Sequence, residues 1–482
     1  MRKRHWLLTL VLGLALAGCS NDGGDGTVDV TDDDVVVDPD DLVGYRASLY
    51  PSHVPSERTN LNGTNTLLDV GLPRDATLDD VVVETIEMPF PVILYTREID
   101  EIFVMGGTPL ALDRYASLVD GLPMGENATA PYFAKFVPST GEITYLDLDR
   151  GEGLPYVGGA VIHADGYVYA VSQAHLYRIE PEAMVIEASV ALPTDGPATV
   201  YNGLITGRTG ELILKSLSFL TGATMLSLID GETLETVFST PCDCASARIA
   251  LALDGDGLEH LYHLNREQTF RYVVEPGSLT LDETWVARFD PDGTGINEEP
   301  TSPVIFDGRV HYTTNTNLDA ATPMRVFWQD VDAVYTPDMP PLTGPLMFDD
   351  GPDGLAGASF GGLAADELTG ILIGNDQVRG LVNAFVTRDD GSIDVLWQRE
   401  FNHSSANTVV SDRQVLYVTD FVDGSNHLVM LDLMTGDELL RIPTPATRAS
   451  IGSVICTPGG DVYMAANESG QPTGFLVRIH VP

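Results

Sequence analysis

One stretch of the sequence carries oxygen ligands at alternate positions. Asp290, Asp292 and Thr294 lie in Asp-Pro-Asp-Gly-Thr-Gly, and carboxylate and hydroxyl oxygens arranged around glycines are the ligands that Ca²⁺ prefers. The stretch departs from an EF-hand loop because its twelfth residue is Thr301 and not Glu. Asp-Gly pairs also reverse β-hairpins, so we favour a turn here and keep the three residues as calcium candidates.

The histidines do not form an obvious metal-binding pair. His260 and His263 are three residues apart in a run typical of a strand, where odd spacing directs side chains to opposite faces. We therefore do not expect them to share a metal ion. His311, His403 and His427 fall at strand starts or in loops, and a packed or solvated histidine is the expectation for each.

Two stretches are rich in Asn, Ser and Thr, namely residues 58–65 and residues 402–407. Such side chains usually satisfy backbone groups in turns, and this is the interpretation we favour. The functional alternative is a hydrogen-bonding rim around a ligand site, with Asn402, His403 and Asn407 as its candidates.

Three cysteines lie outside the N-terminal leader. Cys242 and Cys244 are separated by one residue, and Cys456 is distant in the sequence. A bridge between the first two would close a tight loop, whereas Cys456 with either would join distant parts of the chain. Zinc is disfavoured, because Cys-Asp-Cys has the wrong spacing and no Cys/His pair follows it.

The elements that position these residues are short β-strands with a regular rhythm. Runs of β-branched and aromatic residues alternate with Gly, Asp or Asn turns, which predicts antiparallel strands. Each unit reads as strand, tight turn, strand with a Tyr, longer loop, third strand, turn and fourth strand. A period of about 40–50 residues with four strands is typical of a β-propeller blade. The predicted blades start near Phe90, Val157, Ala198, Ala247, Thr301, Gly357, Ser405 and Ile451.

The predicted fold is therefore all-β, a single propeller of four-stranded antiparallel blades, eight in number with seven as the alternative. The last unit has only three clear strands before Pro482. Residues 81–88, an apolar and acidic run before the first full unit, could supply the fourth strand. Ring closure of this kind would pair the two terminal strand edges.

The blade pattern resembles that of quinoprotein-dehydrogenase-like propellers, known for PQQ-type repeats. In Leu-Asp-Leu-Met-Thr-Gly-Asp-Glu-Leu, residues 431–439, the Asp and the Thr-Gly turn match that repeat, and Trp397 occupies its fourth-strand Trp position. The resemblance implies a propeller that either holds a quinone cofactor or acts without one. The adjacent Cys-Cys pair of the quinone enzymes is absent, since Asp243 separates Cys242 from Cys244. We therefore expect no PQQ and no other cofactor, with calcium as the exception to test.

The N-terminus resembles the leader of a bacterial lipoprotein. Residues 2–4 are basic, residues 6–17 are apolar, and residues 16–19 read Leu-Ala-Gly-Cys, which is similar to a lipobox. The resemblance implies that residues 1–18 are a signal peptide and that Cys19 is lipidated. Ser20 after the cysteine favours the outer membrane, so the predicted location is the cell envelope, with the chain held in the membrane through its lipid.

The domain organisation follows from composition. Residues 19–44 form a predicted disordered tether, because residues 21–41 contain nine aspartates and no cation or aromatic residue. Residues 45–80 are a predicted extended N-terminal segment, and residues 81–482 the propeller.

The net charge and the absence of two known motifs exclude several classes of function. The net charge of −44 repels nucleic acid, so no nucleic-acid partner is expected. The sequence contains no His-Glu-x-x-His zinc motif and no phosphate-binding loop. We expect a binding or scaffolding module that takes a protein or small-molecule ligand at the propeller mouth. The alternative is a propeller enzyme, either a quinone-dependent oxidoreductase or a calcium-dependent lactonase-like hydrolase.

Overall fold

A computed structural model describes residues 43–107, 130–148, 156–196, 198–218, 221–289, 300–315, 323–348, 357–359, 361–402, 407–450, 452–468 and 473–482. Thirty-two β-strands occur in these residues. Residues 19–42 of the predicted tether, including Cys19, and the calcium candidates Asp290, Asp292 and Thr294 lie outside them, as does His403. No helix of the described residues is both long and apolar enough to cross a membrane.

Two strands precede the first blade: β1 (Thr66–Leu67) and β2 (Val82–Met88). Blade 1 contains β3–β6 (Pro91–Thr96, Ile102–Gly106, Tyr132–Val137, Glu142–Asp147). Blade 2 contains β7–β10 (Val157–Ile162, Val168–Ser172, His175–Glu180, Val185–Ala191). Blade 3 contains β11–β14 (Thr199–Thr206, Leu212–Ser218, Thr224–Ile229, Thr236–Cys242). Blade 4 contains β15–β18 (Ala250–Leu253, Glu259–Leu264, Gln268–Glu275, Ser278–Arg288).

Blade 5 contains β19–β21 (Val304–Phe306, Arg309–Thr313, Val326–Asp330). Blade 6 contains β22–β25 (Ala364–Asp366, Ile371–Asp376, Leu381–Thr387, Ile393–Glu400). Blade 7 contains β26–β29 (Thr408–Val410, Val415–Val422, Ser425–Asp432, Glu438–Pro443). Blade 8 contains β30–β32 (Val454–Cys456, Val462–Asn467, Gly474–His480).

The eight sheets confirm the predicted all-β propeller and its larger blade number. Strands within each blade pair antiparallel in chain order. Inner strands such as β7 and β11 are buried throughout, because they pack against neighbouring blades on both faces. The outer strand β10 alternates between exposed and half-buried residues, the pattern of a sheet edge with one face toward solvent. Apolar side chains between successive blades form the core.

Ring closure uses the predicted N-terminal strand. β2 pairs antiparallel with β32 from Val82 opposite His480 to Met88 opposite Gly474, which makes it the outer strand of blade 8. The prediction that the run before the first unit completes the last blade is confirmed. Two blades depart from four strands: blade 5 has three, and β1 adds a parallel inner strand to blade 7.

Neighbouring blades dock through tryptophan. The Trp397 indole on β25 donates to the Leu433 carbonyl at 2.8 Å, in the turn where Asp432 accepts the Met434 and Thr435 amides. A Cβ on Gly436 would lie 2.5 Å from the Trp397 ring, so that turn requires glycine for contact as well as for its φ of +68°. Trp285 makes a similar contact with the Asp330 carbonyl at 3.1 Å between blades 4 and 5. Of these two tryptophans, only Trp397 is predicted from the sequence, because the turn that Trp285 contacts in blade 5 lacks Thr-Gly.

Trp397→Phe is expected to lower the free energy of unfolding by about 2 kcal/mol. The substitution removes the indole donor, leaves the Leu433 carbonyl unpaired, and opens part of a packed joint. Denaturant unfolding followed by tryptophan fluorescence and circular dichroism measures the change. Trp328→Phe is the control, since Trp328 is only half-buried. Equal small losses in both variants would contradict a docking role for Trp397.

The cysteine pairing left open by the sequence is resolved. Cys242 bridges Cys244, and Cys456 is a buried cysteine on β30 that takes no part in this disulfide. The bridge lies where blade 3 ends, immediately before the chain crosses to blade 4.

Candidate functional site

The two faces of the propeller carry connections of different length. On the turn face, each inner strand turns into the second strand, as in the two-residue connection 307–308. On the loop face, second strands cross to third strands and blades are joined to one another. At the loop face, the end of β4 and the start of β5 are separated in the chain by the 25 residues of 107–131. Long connections are where binding residues usually occur.

The central channel is filled by the chain's own N-terminal segment, residues 45–72, which we call the plug. Residues 52–67 are all buried. Backbone hydrogen bonds join the plug to the inner parts of seven blades, for example Ile162 N–H to the Pro55 carbonyl and Ala365 N–H to the Thr64 carbonyl. The Thr206 hydroxyl of blade 3 donates to the Ala47 carbonyl. The plug therefore contacts the whole ring.

The plug enters from the turn face. The Tyr45 hydroxyl donates to Glu259 at the start of β16, 2.7 Å away. The Ser52 hydroxyl donates to the Thr96 carbonyl at the end of β3, 2.6 Å away. Farther along, the backbone N–H of Asp69 bonds the carboxylate of Asp412 in the first turn of blade 7. Each of these partners lies at the turn-face end of its blade.

A charged cluster lies where the plug reaches the middle of the channel. Arg248 donates from Nε to Glu57 Oε1 at 2.9 Å, and a second guanidinium nitrogen lies 2.5 Å from the same oxygen. Arg248 also donates to the Asn202 carbonyl of blade 3. Arg58 donates to the Pro303 carbonyl at 3.2 Å and to the Leu363 carbonyl at 2.9 Å. Glu57, Arg58 and Arg248 are each less than a tenth exposed.

Burial dominates the electrostatics of this cluster. Burial raises the pKa of the Glu57 carboxyl, and the neighbouring Arg248 and Arg58 guanidiniums oppose that increase. Burial lowers the pKa of Arg58 to about 10, so Arg58 stays charged at neutral pH. The Glu57 carboxylate raises the pKa of Arg248 against the effect of burial. One carboxylate thus faces two guanidiniums.

A small cleft separates the plug from the inner strands of blades 3 and 4. Its walls include Ser56, Glu57 and Arg58 of the plug, with Gly203 and Arg248 opposite. The cleft has room for roughly one or two water-sized groups.

Several buried amides at the loop-face ends of strands have unpaired atoms within the described residues. Asn407 precedes β26 and Asn467 ends β31, and neither side-chain oxygen nor nitrogen of these two residues has a partner there. The Asn375 side-chain NH₂ on β23 is also unpaired, whereas its oxygen accepts the Ser359 hydroxyl at 2.6 Å. Buried polar groups require partners, so these amides can bind water or a ligand.

The candidate rim residues separate in the structure. Asn402 is exposed and binds locally, its side chain donating to the Phe421 carbonyl at 2.9 Å. Asn407 is buried. The polar stretch 58–65 belongs to the plug rather than to a rim, and it bonds its own backbone as expected of a turn, Asn60 accepting from Thr64 N–H at 3.2 Å.

The described histidines occupy separate environments. His260 lies 2.8 Å from Asp254, whereas His263 stacks on Phe270 with ring centroids 4.9 Å apart. His311 stacks on Phe306 at 4.7 Å, and His427 lies near the Asp420 carbonyl. No group of three His, Cys, Asp or Glu side chains arranged to hold a metal ion occurs among the residues the structure describes.

The sequence also contains one match to a hydrolase serine motif. Residues 357–361 read Gly-Ala-Ser-Phe-Gly, the Gly-x-Ser-x-Gly pattern of hydrolase nucleophile elbows. Such an elbow joins a strand to a helix and presents its serine to a histidine. Ser359 is instead buried before β22, and its hydroxyl bonds the amide oxygen of Asn375. Ser359 therefore has a structural role in this site, as a hydrogen-bond donor to Asn375.

The fold and the plugged channel define the class: an eight-bladed β-propeller whose centre is occupied by its own N-terminal segment. No protein-family model and no curated protein matches the sequence. Among solved structures, the Dos1 propeller is similar with a TM-score of 0.51 at 10% identity, over 82% of this chain and 93% of that one.

Two further propellers are more distant. The periplasmic gluconolactonase of Pseudomonas aeruginosa has a TM-score of 0.43 at 12% identity, over 73% of this chain and 95% of its own. The WD40 domain of SCAP from fission yeast has a TM-score of 0.44 at 10% identity, over 84% and 96%. Identities this low establish the fold alone.

Proposed function

We propose that this protein is a lipid-anchored binding module of the bacterial cell envelope that presents the loop face of its propeller to a ligand. The observation that carries the proposal is the plug. Propellers commonly bind their ligands at the central channel, and here residues 45–72 occupy that channel from the turn face. The open surface for a partner is therefore the loop face.

The position of the plug also supports an orientation of the propeller relative to the membrane. The first described residues lie at the turn face, where Tyr45 bonds Glu259. Lipid on Cys19 would then be connected to that face through residues 20–42, which span at most about 80 Å when fully extended. The turn face lies nearer the membrane in this arrangement, and the loop face points away from it.

Unpaired amides support a ligand at the loop face. Asn407 and Asn467 are buried on neighbouring blades with both side-chain polar atoms free of protein partners among the described residues. An amide both donates and accepts, so it suits polar small molecules and peptide groups alike. We propose no cofactor for this role.

The alternative is a propeller enzyme, and one assay separates the two proposals. The full chain is incubated with an aldonolactone in Ca²⁺, and separately with PQQ, an oxidisable alcohol or aldose as electron donor, and an electron-accepting dye. A binding module leaves both reactions at the rate of buffer. Lactone hydrolysis or dye reduction that disappears on heat denaturation would overturn the binding proposal.

Cys19→Ser is expected to abolish acyl labelling and release the protein from the membrane fraction. The physical reason is that the acyl chains on Cys19 supply the membrane affinity, since one chain binds only marginally and several together hold a protein permanently. Radiolabelled palmitate incorporation and ultracentrifugation of cell lysates measure both effects.

Ser20→Ala is the matched control, because it changes a neighbouring hydroxyl and keeps the thiol. This variant should label and sediment like the unmodified chain. Labelling and sedimentation of Cys19→Ser at unchanged levels would contradict the lipid anchor.

A further inference from the structure

We propose that the cleft between the plug and blades 3 and 4 binds a small anion, either a halide ion or the carboxylate group of an organic acid, through Arg58 Nε and Ser56 Oγ. The proposal rests on described residues only and does not depend on the lipid anchor or on the loop face.

The cluster beside the cleft has more positive than negative charge. Arg58 and Arg248 share one carboxylate, that of Glu57, and Arg248 makes the direct contacts with it. With Glu57 ionised the three groups carry one net positive charge, and with Glu57 protonated they carry two. An unbalanced buried charge is costly, so a compensating anion is favourable in either case. This excess is local, because the whole chain has a net charge of −44.

Two donors in the cleft walls have no partner within the described residues. Arg58 Nε and Ser56 Oγ are both buried and unpaired, and Arg58 and Ser56 are 6% and 3% exposed. An arginine Nε–H can only donate, and the serine hydroxyl is also able to donate. A group that binds Arg58 Nε must therefore accept a hydrogen bond, as an anion does, and the same group can accept one from Ser56 Oγ in the same cleft wall.

The size of the cleft limits the anion. The walls leave room for roughly one or two water-sized groups. Chloride and the two oxygens of a carboxylate are of this size, whereas a sugar phosphate or a nucleotide is not. A Cβ on Gly63 would lie 3.1 Å from Arg58 Cζ, so the plug backbone also holds the guanidinium closely in place.

Bromide is the first probe. Crystals of the full chain soaked in sodium bromide are expected to show an anomalous peak in the cleft within hydrogen-bonding distance of Arg58 Nε. A second soak in sodium iodoacetate distinguishes the sources, because an iodine peak displaced from the bromide position marks a bound carboxylate. Density for water alone in both soaks would overturn the proposal.

Thermal unfolding in solution gives an independent measurement. At constant sodium concentration, replacing a bulky morpholinoethanesulfonate anion by chloride or acetate should raise the midpoint with saturation, since a ligand that binds only the folded state stabilises it. Constant sodium removes the screening effect that any cation has on so acidic a protein.

Variants separate the site from general salt effects. Ser56→Ala removes one donor, and loss of a hydrogen bond to a charged group should weaken the anion affinity at least about tenfold. Arg309→Gln, which removes a cation that is paired with Asp330 and Asp389 and does not line the cleft, is the control and should titrate as the unmodified chain does. Equal anion responses of both variants would place binding elsewhere and overturn the proposal.

Discussion

Deleting residues 20–72 is expected to prevent stable folding, whereas deleting residues 20–42 should leave the thermal midpoint unchanged. The longer deletion removes the plug, whose buried apolar side chains belong to the core. These are Leu49, Val54, Leu61, Leu67, Val70 and Leu72. At about 1.5–3 kcal/mol each, their burial contributes about 10 kcal/mol, comparable with the whole stability of a typical domain.

The plug also pairs groups that would be left buried without it. Arg248 would lose Glu57, and removing one partner of a buried ion pair costs about 3–5 kcal/mol. Inner-strand amides of blades 4 to 7, such as Leu251 N–H, would lose their plug carbonyls. Size-exclusion chromatography and circular dichroism of the two truncated chains measure the outcome.

A third truncation distinguishes the contribution of the plug to stability from the contribution of ring closure by β2. A chain that lacks residues 20–88 also loses β2 and exposes the edge of β32, so it should aggregate as well as unfold. A monomeric 20–72 deletion with an unchanged midpoint would show that the plug is dispensable and would remove the basis of the proposed function.

The sequence predicted the ring but not what fills it. Strand rhythm, turn residues and ring closure by residues 81–88 are local patterns, and each is encoded by residues adjacent in the chain. The plug has no periodicity, because its backbone bonds one blade after another rather than a single neighbouring strand. Its Asn, Thr and Arg residues therefore resembled an exposed turn, although residues 52–67 are buried.

The charged cluster at the plug could not be predicted from the sequence for the same reason. Arg58 follows Glu57 in the chain, whereas Arg248 is 191 residues from Glu57, and only the closed ring brings Arg248 to that carboxylate. Trp397 was recognised because its turn partner has the Thr-Gly pattern, whereas Trp285 was not, because Asp330 begins an irregular turn. Contacts between distant segments leave no local pattern to find.

Lowering the pH from 8 to 5 is expected to destabilise this chain less after His263→Phe than before, by about 2 kcal/mol. His263 is 2% exposed and stacks on Phe270, and burial together with the Lys215 charge lowers its pKa from 6.5 to about 3. The sign follows from proton binding. The unfolded chain takes up a proton near pH 6.5 and the folded chain does not until about pH 3.

The stability that neutral His263 contributes is thus complete above pH 6.5 and is lost as the pH falls toward 3. At pH 5 the loss is about 1.5 pH units, or about 2 kcal/mol. Phenylalanine preserves the ring stacking without titrating. Urea unfolding of both chains at pH 8 and pH 5 gives the difference, and His311, whose pKa burial also lowers to about 3, provides a second variant of the same sign.

Glu367→Gln should shift the pH dependence in the opposite direction. Burial raises the pKa of Glu367 from 4.5 to about 7, and the Thr64 hydroxyl of the plug donates to its carboxylate at 2.7 Å. A raised carboxyl pKa gives stability that is complete below pH 4.5 and is lost as the pH rises through 7. Glutamine does not titrate and so lacks this pH-dependent contribution. When the pH is lowered from 8 to 5, the free energy of unfolding of the variant should therefore fall by about 2 kcal/mol more than that of the unmodified chain. Because the net charge of −44 affects all chains equally, it cancels from these differences. Parallel pH profiles for the two variants would show that His263 and Glu367 titrate alike in the folded and unfolded chains, contrary to their burial.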